Sequence, residues 1–324
     1  MKNKLIPLLA VSLLSLTACG GKSYSPKDYV MTLDYKSNFK ILQLTDLHFA
    51  DKDDQDLHYA FLDLLIKEAD GPSKDQIDLM VVTGDLFTFA SKSTAKKLFK
   101  FLDSYEIPWT VVFGNHDEQT YFSVDWMTNY LNKFGSYCMF KDLQDDDVQG
   151  NCNFAINLMD GANVHDQLIF MDSNRYSFND YFGYDYFKQN QIDWYESLVK
   201  DTQGSGSPVN SLMFYHIPLP EVNDAYEKGE IKYGEKREDC CPPDKDLGFF
   251  NKIKELGSTK AMFFGHDHIN NFEALYEGVT FCYGIKSTNR IYYDEDMLGY
   301  QTITLKDDHS LEINRVYHTY EEVR

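Results

Sequence analysis

Residues 39–48 read FKILQLTDLH, an apolar run of strand length that ends at two potential ligands. Residues 39–44 have the length and the apolar character of a buried strand. Asp46 and His48 follow directly. In an open α/β sheet, ligands bind in the crevice beyond the carboxyl ends of the strands. The stretch therefore predicts a central strand that delivers a carboxylate and an imidazole to one edge of a sheet.

Strand-like and helix-like segments alternate on either side of this stretch. Residues 57–69 and a segment that begins at a Ser93 or Thr94 cap and runs to residue 102 show helical periodicity. Such alternation is typical of an α/β fold, and the 324 residues suit one catalytic domain. The last three predicted strands have no helix between them, so we expect the chain to end in antiparallel strands. Beyond the first strand, the predicted strands are residues 79–83, 109–113, 154–158, 168–171, 212–215, 261–264, 280–283, 301–305 and 311–316.

Polar residues stand at the ends of five of these strands. A single Asp or His after a strand is usually a cap, but five such ends favour a shared metal site. Mixed Asp, Asn and His ligands suit Mn, Fe, Zn or Co, and the absence of a CxxC pair disfavours a structural zinc site. Besides Asp46 and His48, the strand ends carry Gly84-Asp85, Gly114-Asn115-His116-Asp117, Tyr215-His216 and Gly265-His266-Asp267-His268.

These motifs in combination resemble the signature of the calcineurin-like metallophosphoesterase superfamily. Within it, Gln191-x-x-Trp194 and the stretch from Gly265 to Asn270 are most similar to the phosphohydrolase subgroup related to purple acid phosphatases. The resemblance implies an α/β fold of two packed mixed β-sheets flanked by helices. It also implies a two-metal hydrolase of phosphomonoesters or small phosphodiesters, in which a metal-bridging hydroxide is the nucleophile.

Roles for individual residues follow from these motifs. His116, next to Asn115, would be the general acid for the leaving group or would stabilise the transition state, or alternatively would be a histidine that only supports the ligands. Asp117 or Asp267 would orient a histidine, or would simply cap the following turn. One metal ion would be held by Asp46, His48 and His268, the other by Asn115, His216 and His266, and Asp85 would bridge them.

The sequence departs from two branches of the superfamily. Residues 84–89 read GDLFTF, whereas protein phosphatases continue this motif with an Asp and an Arg. This difference disfavours a phosphoprotein phosphatase of that type. Thr88 stands where true purple acid phosphatases have their tyrosine ligand. We therefore expect no charge-transfer colour.

Charge and nearby side chains bear on the substrate. A net charge of −20 disfavours binding of a polynucleotide, although a local cationic site can still take a small phosphate ester. Asn174 and Arg175 follow another predicted strand and are candidate phosphate contacts, with a surface salt bridge as the alternative for Arg175. An aromatic cluster is either a wall for a base or sugar or ordinary packing. It consists of Tyr176, Phe178, Tyr181, Phe182, Tyr184, Tyr186 and Phe187.

The first residues read as an export signal. Lys2 and Lys4 precede an apolar stretch that ends in Leu16-Thr17-Ala18-Cys19, which resembles a bacterial lipobox. We expect a lipoprotein signal peptide over residues 1–18, a lipidated Cys19 and tether over 19–36, and a catalytic domain over 37–324. The protein would then be exported and anchored to the bacterial membrane on its extracytoplasmic side. An ordinary secretory signal is the alternative.

Other functions remain open alongside the leading one. A nucleotidase or nucleotide pyrophosphatase would use the same residues. A lipid-anchored protein that captures phosphate or metal without turnover would need the ligands but no general acid, so His116 favours an enzyme. Export permits disulfides, and Cys138 and Cys152 lie on neighbouring predicted segments that a bond could join, whereas the adjacent Cys240 and Cys241 cannot easily bond each other.

Overall fold

The strand predicted at residues 39–44 lies in the middle of a five-stranded sheet. This sheet is seen in a computed structural model of the chain, which describes residues 25–72, 76–144, 147–177 and 183–324. The spatial order is β15-β14-β2-β3-β4, with β2, β3 and β4 parallel and the two last strands antiparallel. The strands of this small sheet are β2 (Phe39–Leu44), β3 (Leu79–Thr83), β4 (Trp109–Val112), β14 (Gly299–Leu305) and β15 (Leu311–Tyr317).

Two helices connect the parallel strands of the small sheet. Helix α1 spans Gln55–Asp70 and α2 spans Lys92–Asp103, close to the predicted limits. The predicted cap of α2 is wrong: Ser91 is the N-cap residue, and Thr94 donates its hydroxyl to Asp51 Oδ1 at 2.6 Å. Hydrophobic periodicity located helix α2. It did not indicate that the hydroxyl of Thr94 bonds Asp51, in the loop after β2, instead of capping the helix.

The second sheet has eight strands in the described part of the chain. Its order is β1-β5-β6-β9-β11-β13-β12-β10, with parallel and antiparallel pairs. The strand β13 was expected to join the antiparallel end of the chain, but it lies in this sheet, parallel to β11. The strands are β1 (Val30–Asp34), β5 (Phe154–Asp160), β6 (Asn163–Phe170), β9 (Ser211–Phe214), β10 (Glu230–Tyr233), β11 (Thr259–Phe264), β12 (Glu273–Tyr276) and β13 (Val279–Tyr283).

Side chains of the large sheet alternate between two hydrophobic layers. In β9, Leu212 and Phe214 join the layer shared with the small sheet, whereas Met213 joins the layer on the opposite side. This alternation follows from the two-residue period of a strand. The opposite layer is closed by α4 (Gln189–Gln203), α5 (Val222–Lys228) and α6 (Phe249–Leu256), while α3 (Val124–Leu131) belongs to the first layer. The expected α/β fold of two mixed sheets flanked by helices is therefore confirmed.

The amino-terminal boundary of the folded part differs from the expected one. Strand β1 pairs with β5 along its whole length, so residues 30–34 are part of the large sheet rather than of a tether that ends at residue 36. The predicted signal peptide and Cys19 lie outside the described residues, as do Phe178, Tyr181 and Phe182. Within the described residues, every helix is too short or too polar to cross a bilayer. Residues 176–177 and 183–184 form a further two-stranded ribbon, β7 and β8.

The described cysteines are separate thiols. Cys138 and Cys152 do not form the bond that their neighbouring positions allowed. The Sγ atom of Cys152 instead accepts a hydrogen bond from the backbone N–H of Phe113 at 3.4 Å. Cys240 and Cys241 are also unbonded.

Candidate metal centre

The predicted ligands converge at the carboxyl edge of both sheets. Five loops supply them, and each loop follows a strand whose side chains are mostly buried. Parallel strands end at the same edge, which is why residues far apart in sequence meet there. The ligand candidates are buried, and the loops after β2, β3, β4, β9 and β11 carry, in that order, Asp46 and His48, Asp85, Asn115, His216, and His266 and His268.

The backbone of these loops is unusually constrained. Asp46, His48 and Asp85 have φ angles of 55°, 50° and 50°, in the left-handed region that side chains other than glycine rarely adopt. Gly114 stands against Asp85 so closely that a Cβ atom there would lie 2.2 Å from Oδ1. Strain of this kind persists where the surrounding structure imposes it, and it is concentrated at functional sites.

Four residues form the tightest part of the site. One ligand atom from each of Asp46, His48, Asp85 and His268 lies within 4.8 Å of the others. The Nε2 atom of His268 is 3.5 Å from Asp46 Oδ1, and that of His48 is 3.6 Å from Asp85 Oδ2. Ligands of one small divalent ion stand at about these separations. The set matches the first predicted metal site together with the predicted bridging carboxylate.

Both His48 and His268 turn Nε2 toward the cluster. His268 Nδ1 donates to the carbonyl oxygen of Tyr292 at 3.0 Å, and His48 Nδ1 lies 2.9 Å from Thr88 Oγ1. Because a carbonyl oxygen only accepts, Nε2 of His268 carries a lone pair, and it lies 3.1 Å from Nε2 of His48. An imidazole lone pair beside two carboxylates fits a metal ion.

The second predicted ligand set lies beside the first. His216 Nδ1 donates to the carbonyl of Thr83 at 2.8 Å, and its Nε2 lies 3.2 Å from Asp85 Oδ2. Asn115 Oδ1 is buried and has no hydrogen-bond partner among the described residues. A buried acceptor without a partner is costly, and a cation would satisfy this oxygen. His266 donates from Nε2 to the carbonyl of Cys241 at 3.1 Å, which leaves Nδ1 as its acceptor.

The protonation states suit cation binding. Burial would raise the pKa of Asp46, but the hydrogen bond and charge of His268 outweigh it and hold that pKa below its usual range. The charge of His216 likewise outweighs burial and holds the pKa of Asp85 low. Burial lowers the pKa of His266 to about 3. Burial would also lower the pKa of His216, but Asp85 raises it to about 9, so a cation would displace that proton.

His116 lies beside this cluster and is only half-buried. Its backbone N–H donates to Asp85 Oδ1 at 2.7 Å, and its ring centroid is 5.0 Å from that of His48. The Nδ1 atom lies 2.8 Å from Gln119 Oε1, an acceptor that makes Nδ1 the donor. The Nε2 atom is therefore the one available to a reacting group.

The two other motif carboxylates do not orient a histidine. Asp117 accepts hydrogen bonds from the backbone N–H groups of Gly114 and Phe87, at 2.8 and 3.0 Å. Asp267 accepts from the hydroxyl of Tyr283 and from the backbone N–H of Cys241. Asp117 instead closes the turn in which it lies, residues 114–117, rather than the turn that follows.

The predicted substrate contacts are occupied by internal bonds. The amide group of Asn174 donates to the carbonyl of Tyr186 and to Gln191 Oε1, both at 2.9 Å. Arg175 forms ion pairs with Glu118 and Asp172. The salt bridge weighed as the alternative for Arg175 is thus present, and these contacts give no support to a phosphate contact by either residue.

The aromatic cluster divides into two parts. Phe187 is buried against the ring of Phe249, as ordinary packing predicts. Tyr176 and Tyr184 stack with ring centroids 5.3 Å apart, and Tyr184 lies edge-on to His266 at 4.5 Å. The side-chain N–H of Asn115 donates to the hydroxyl of Tyr176 at 3.0 Å. Only this pair, among the described members, reaches the metal centre.

The contacts that several further residues make with the centre were not predicted from the sequence. Thr88 and Gln119 bond the ring nitrogens of His48 and His116. Lys286 is buried and donates from Nζ to the carbonyl oxygen of Asp46 at 2.9 Å. Thr88 and Gln119 stand a few positions after recognised motifs, a spacing that could have been examined. Lys286 follows β13, and no local signal relates it to the first strand.

Comparisons with known proteins agree with this arrangement. The calcineurin-like phosphoesterase family matches residues 39–270, and two Arabidopsis thaliana proteins named probable inactive purple acid phosphatase 29 and 14 are each 29% identical to the chain. These alignments run over 276 and 317 positions, gaps included, and they cover 76% and 85% of this chain and 71% and 77% of the respective relatives. A dimetal phosphatase from Danio rerio has a similar fold, with a TM-score of 0.57 at 14% identity over 88% of this chain and 100% of that one. Because the family match spans most of the sequence and contains the residues that converge at the carboxyl edge, the chain belongs to the calcineurin-like phosphoesterase family.

Proposed function

We propose that this protein hydrolyses phosphate esters, either phosphomonoesters or small phosphodiesters, with two divalent metal ions bound. The observation that carries the proposal is the convergence of imidazole nitrogens and ionised carboxylates beside His116 at one sheet edge. A chain that needed these residues only for stability would pair the buried acceptor of Asn115.

The two predicted ligand sets divide the site between the ions. Bound divalent ions would supply Lewis-acid activation of the phosphoryl group and of a water nucleophile. Their charge would also offset the acidity of the protein as a whole and attract an anionic ester. The first ion would be held by Asp46, His48 and His268, the second by Asn115, His216 and His266, with Asp85 shared.

His116 would handle the proton of the leaving group. In hydrolysis, the oxygen of water bonds to phosphorus, the bond from phosphorus to the ester oxygen breaks, and that oxygen takes up a proton. With Nδ1 of His116 held by Gln119, a proton on Nε2 can pass to the departing oxygen. The bond from the His116 backbone to Asp85 keeps this ring in register with the ligands.

Hydrolysis of p-nitrophenyl phosphate and bis-p-nitrophenyl phosphate tests the proposal. The purified protein would be stripped with a chelator, reloaded with Mn²⁺ and assayed beside His116→Ala. We expect metal-dependent turnover that falls by about 10²–10⁴-fold in the variant. His318→Ala is the matched control, because His318 pairs with Glu68 and Glu322 and contacts no ligand of the centre.

Each outcome of that assay is informative. The preferred ester would separate a monoesterase from a diesterase. Metal binding without turnover of either ester, or of a panel of nucleotides, would instead support a protein that captures phosphate or metal. The word "inactive" in the names of the two Arabidopsis relatives favours this alternative. Failure to bind any divalent metal would overturn the proposal.

We also propose that the protein is exported and anchored through Cys19. The support is the lipobox-like sequence Leu16-Thr17-Ala18-Cys19 after a positively charged, apolar segment. Cys19→Ala should leave the signal peptide uncleaved at that position and remove the lipid, which mass spectrometry of the purified protein would detect. A wild-type protein found in the soluble fraction with an unmodified Cys19 would contradict the anchor.

A further inference from the structure

A second cluster of histidine and carboxylate lies at the opposite edge of the large sheet. It consists of His165, Asp166 and His309, and one ligand atom from each lies within 4.8 Å of the others. His309 Nδ1 is 2.9 Å from Asp166 Oδ2, and His165 Nδ1 contacts the same oxygen. Residue 165 lies at the amino end of β6, whereas the metal centre lies at the carboxyl ends of the strands. The two clusters are therefore separate.

A β-bulge explains how two adjacent residues reach the same point. Along β6, Val164 pairs with Met159 and Asp166 pairs with Leu158, so His165 is an extra residue without an opposite partner. Neighbouring side chains in a regular strand face opposite sides of the sheet. A bulge interrupts that alternation and is a common means of re-aiming a side chain. Here it lets His165 and Asp166 meet.

A second backbone irregularity brings His309 to the cluster. His309 lies in the tight turn between β14 and β15 and has a φ angle of 64°, a conformation that favours glycine or asparagine. The ring of His165 is held in place by Tyr35, whose ring stacks on it at 3.7 Å. The hydroxyl of Tyr35 in turn donates to Asp307 in the same turn at 2.9 Å. The two sheets thus converge on one carboxylate.

The charge of Asp166 is not balanced by a permanent cation. Its side chain is 1% exposed, and within the described residues its ion-pair partners are the two histidines alone. A buried carboxylate whose ion-pair partners are two imidazoles is a place where a bound cation would be stabilised.

We propose that His165, Asp166 and His309 bind one divalent cation of the zinc type, at a site distinct from the catalytic centre. Two imidazole nitrogens and one carboxylate oxygen are a ligand set that borderline cations such as Zn²⁺ prefer. The side chain of His309 is 41% exposed, so an ion can enter from solvent and keep a fourth position for water. The ion would join the hairpin of the small sheet to a strand of the large one.

Binding requires a small expansion of the cluster. Ligands of a tetrahedral zinc ion with bonds of about 2.0–2.1 Å stand roughly 3.3 Å apart. The hairpin that carries His309 is exposed, and it can move outward by the difference from the 2.9 Å contact, while the contact of His165 with the same oxygen must open as well. Each histidine would bind the ion through Nδ1 and carry its ring proton on Nε2.

The test is a count of bound zinc. The purified protein and the double variant His165→Ala/His309→Ala would be stripped with a chelator, dialysed against Zn²⁺ and freed of unbound ions, and the zinc per chain would be measured by atomic emission. We expect the variant to hold one zinc fewer per chain than the wild type. His318→Ala, which removes a histidine outside both clusters, should keep the wild-type count.

Hydrolysis of bis-p-nitrophenyl phosphate and thermal unfolding complete the test. The double variant should keep its turnover within about twofold, and Zn²⁺ should raise its unfolding temperature by less than that of the wild type. Equal zinc counts in the two proteins would overturn the proposal and leave the cluster as a hydrogen-bonded tie between the sheets. Because the count does not depend on turnover, an inactive enzyme would leave this result intact.

Discussion

The two histidine and carboxylate clusters occupy opposite edges of the same sheets, and they are built in different ways. At the carboxyl edge, Asp46, His48, Asp85 and His268 follow directly after regular strands and are buried. At the amino edge, His165 and Asp166 depend on a bulge, and His309 depends on a tight turn. The first cluster could be recognised in the sequence, whereas the second could not.

The difference teaches where sequence patterns carry information about a site. A strand followed by ligands has a local signature, because the strand is apolar and the polar residues come at its end. Residues 166 and 309 are 143 positions apart, and nothing near either one indicates the other. A site assembled from irregular backbone needs the fold before it can be found.

The largest expected effect is the difference in turnover between a variant of the carboxyl-edge cluster and a variant of the amino-edge cluster. Asp85→Asn removes the charge of the carboxylate that both predicted ligand sets share, so we expect loss of bound metal and of measurable turnover. His309→Ala should keep turnover within about twofold, because it alters only the amino-edge cluster. Measured turnover of bis-p-nitrophenyl phosphate and metal content would check both. A normal rate in Asp85→Asn would contradict the assignment of the catalytic centre.

The next effect concerns the support of one ligand. Thr88→Val removes the hydroxyl that bonds His48 Nδ1, which should lower metal affinity by about 10–100-fold while high metal concentration restores turnover. Thr110→Val is the matched control, because the buried hydroxyl of Thr110 has no hydrogen-bond partner among the described residues. Titration of the stripped protein with Mn²⁺, followed by activity, gives the comparison. Equal metal dependence in both variants would refute the role of Thr88.

A smaller effect is expected from the partner of His116. Gln119→Ala removes the acceptor that holds the His116 ring, and we expect turnover to fall by about tenfold through misplacement of that ring. Gln119→Glu keeps an acceptor and should recover most of the rate. Gln119→Glu should also shift the pH dependence of turnover to higher pH, because a carboxylate stabilises the protonated imidazole of His116. Identical pH profiles in wild type and Gln119→Glu would mean that residue 119 is only structural.

The smallest effect concerns a buried histidine outside both clusters. His58 bonds the hydroxyl of Tyr320 rather than a carboxylate, and burial lowers the pKa of His58 to about 4. Because the unfolded chain binds this proton from about pH 6.5 downward, the contribution to stability is present above that pH and is lost as the pH falls toward 4. In denaturant unfolding, the free energy of unfolding of the wild type should exceed that of His58→Gln by about 1 kcal/mol more at pH 7 than at pH 4.5. A difference independent of pH would contradict this account.

Much of the fold follows from the sequence. The parallel strands β2, β3 and β4 and helix α1 lie close to their predicted limits, because apolar periodicity is a local property. Strand β13 was misplaced, because nothing in its own residues distinguishes pairing with β11 from pairing with β14. Strand β1 was missed altogether: its burial alternates weakly at the edge of the sheet, and its half-exposed residues read as a polar tether.

The sequence by itself determined the residue types of the candidate metal centre and the side of the sheet where they meet, since strand ends and glycine motifs follow one another in order along the chain. Only the tertiary structure decided which atoms face each other. It set the ring orientations through Thr88, Tyr292 and Gln119, it committed Arg175 to Glu118 and Asp172, and it assembled the cluster around Asp166. The reason is physical: hydrophobic periodicity acts between neighbours, whereas hydrogen bonds and charge pairs depend on positions that only the folded chain brings together.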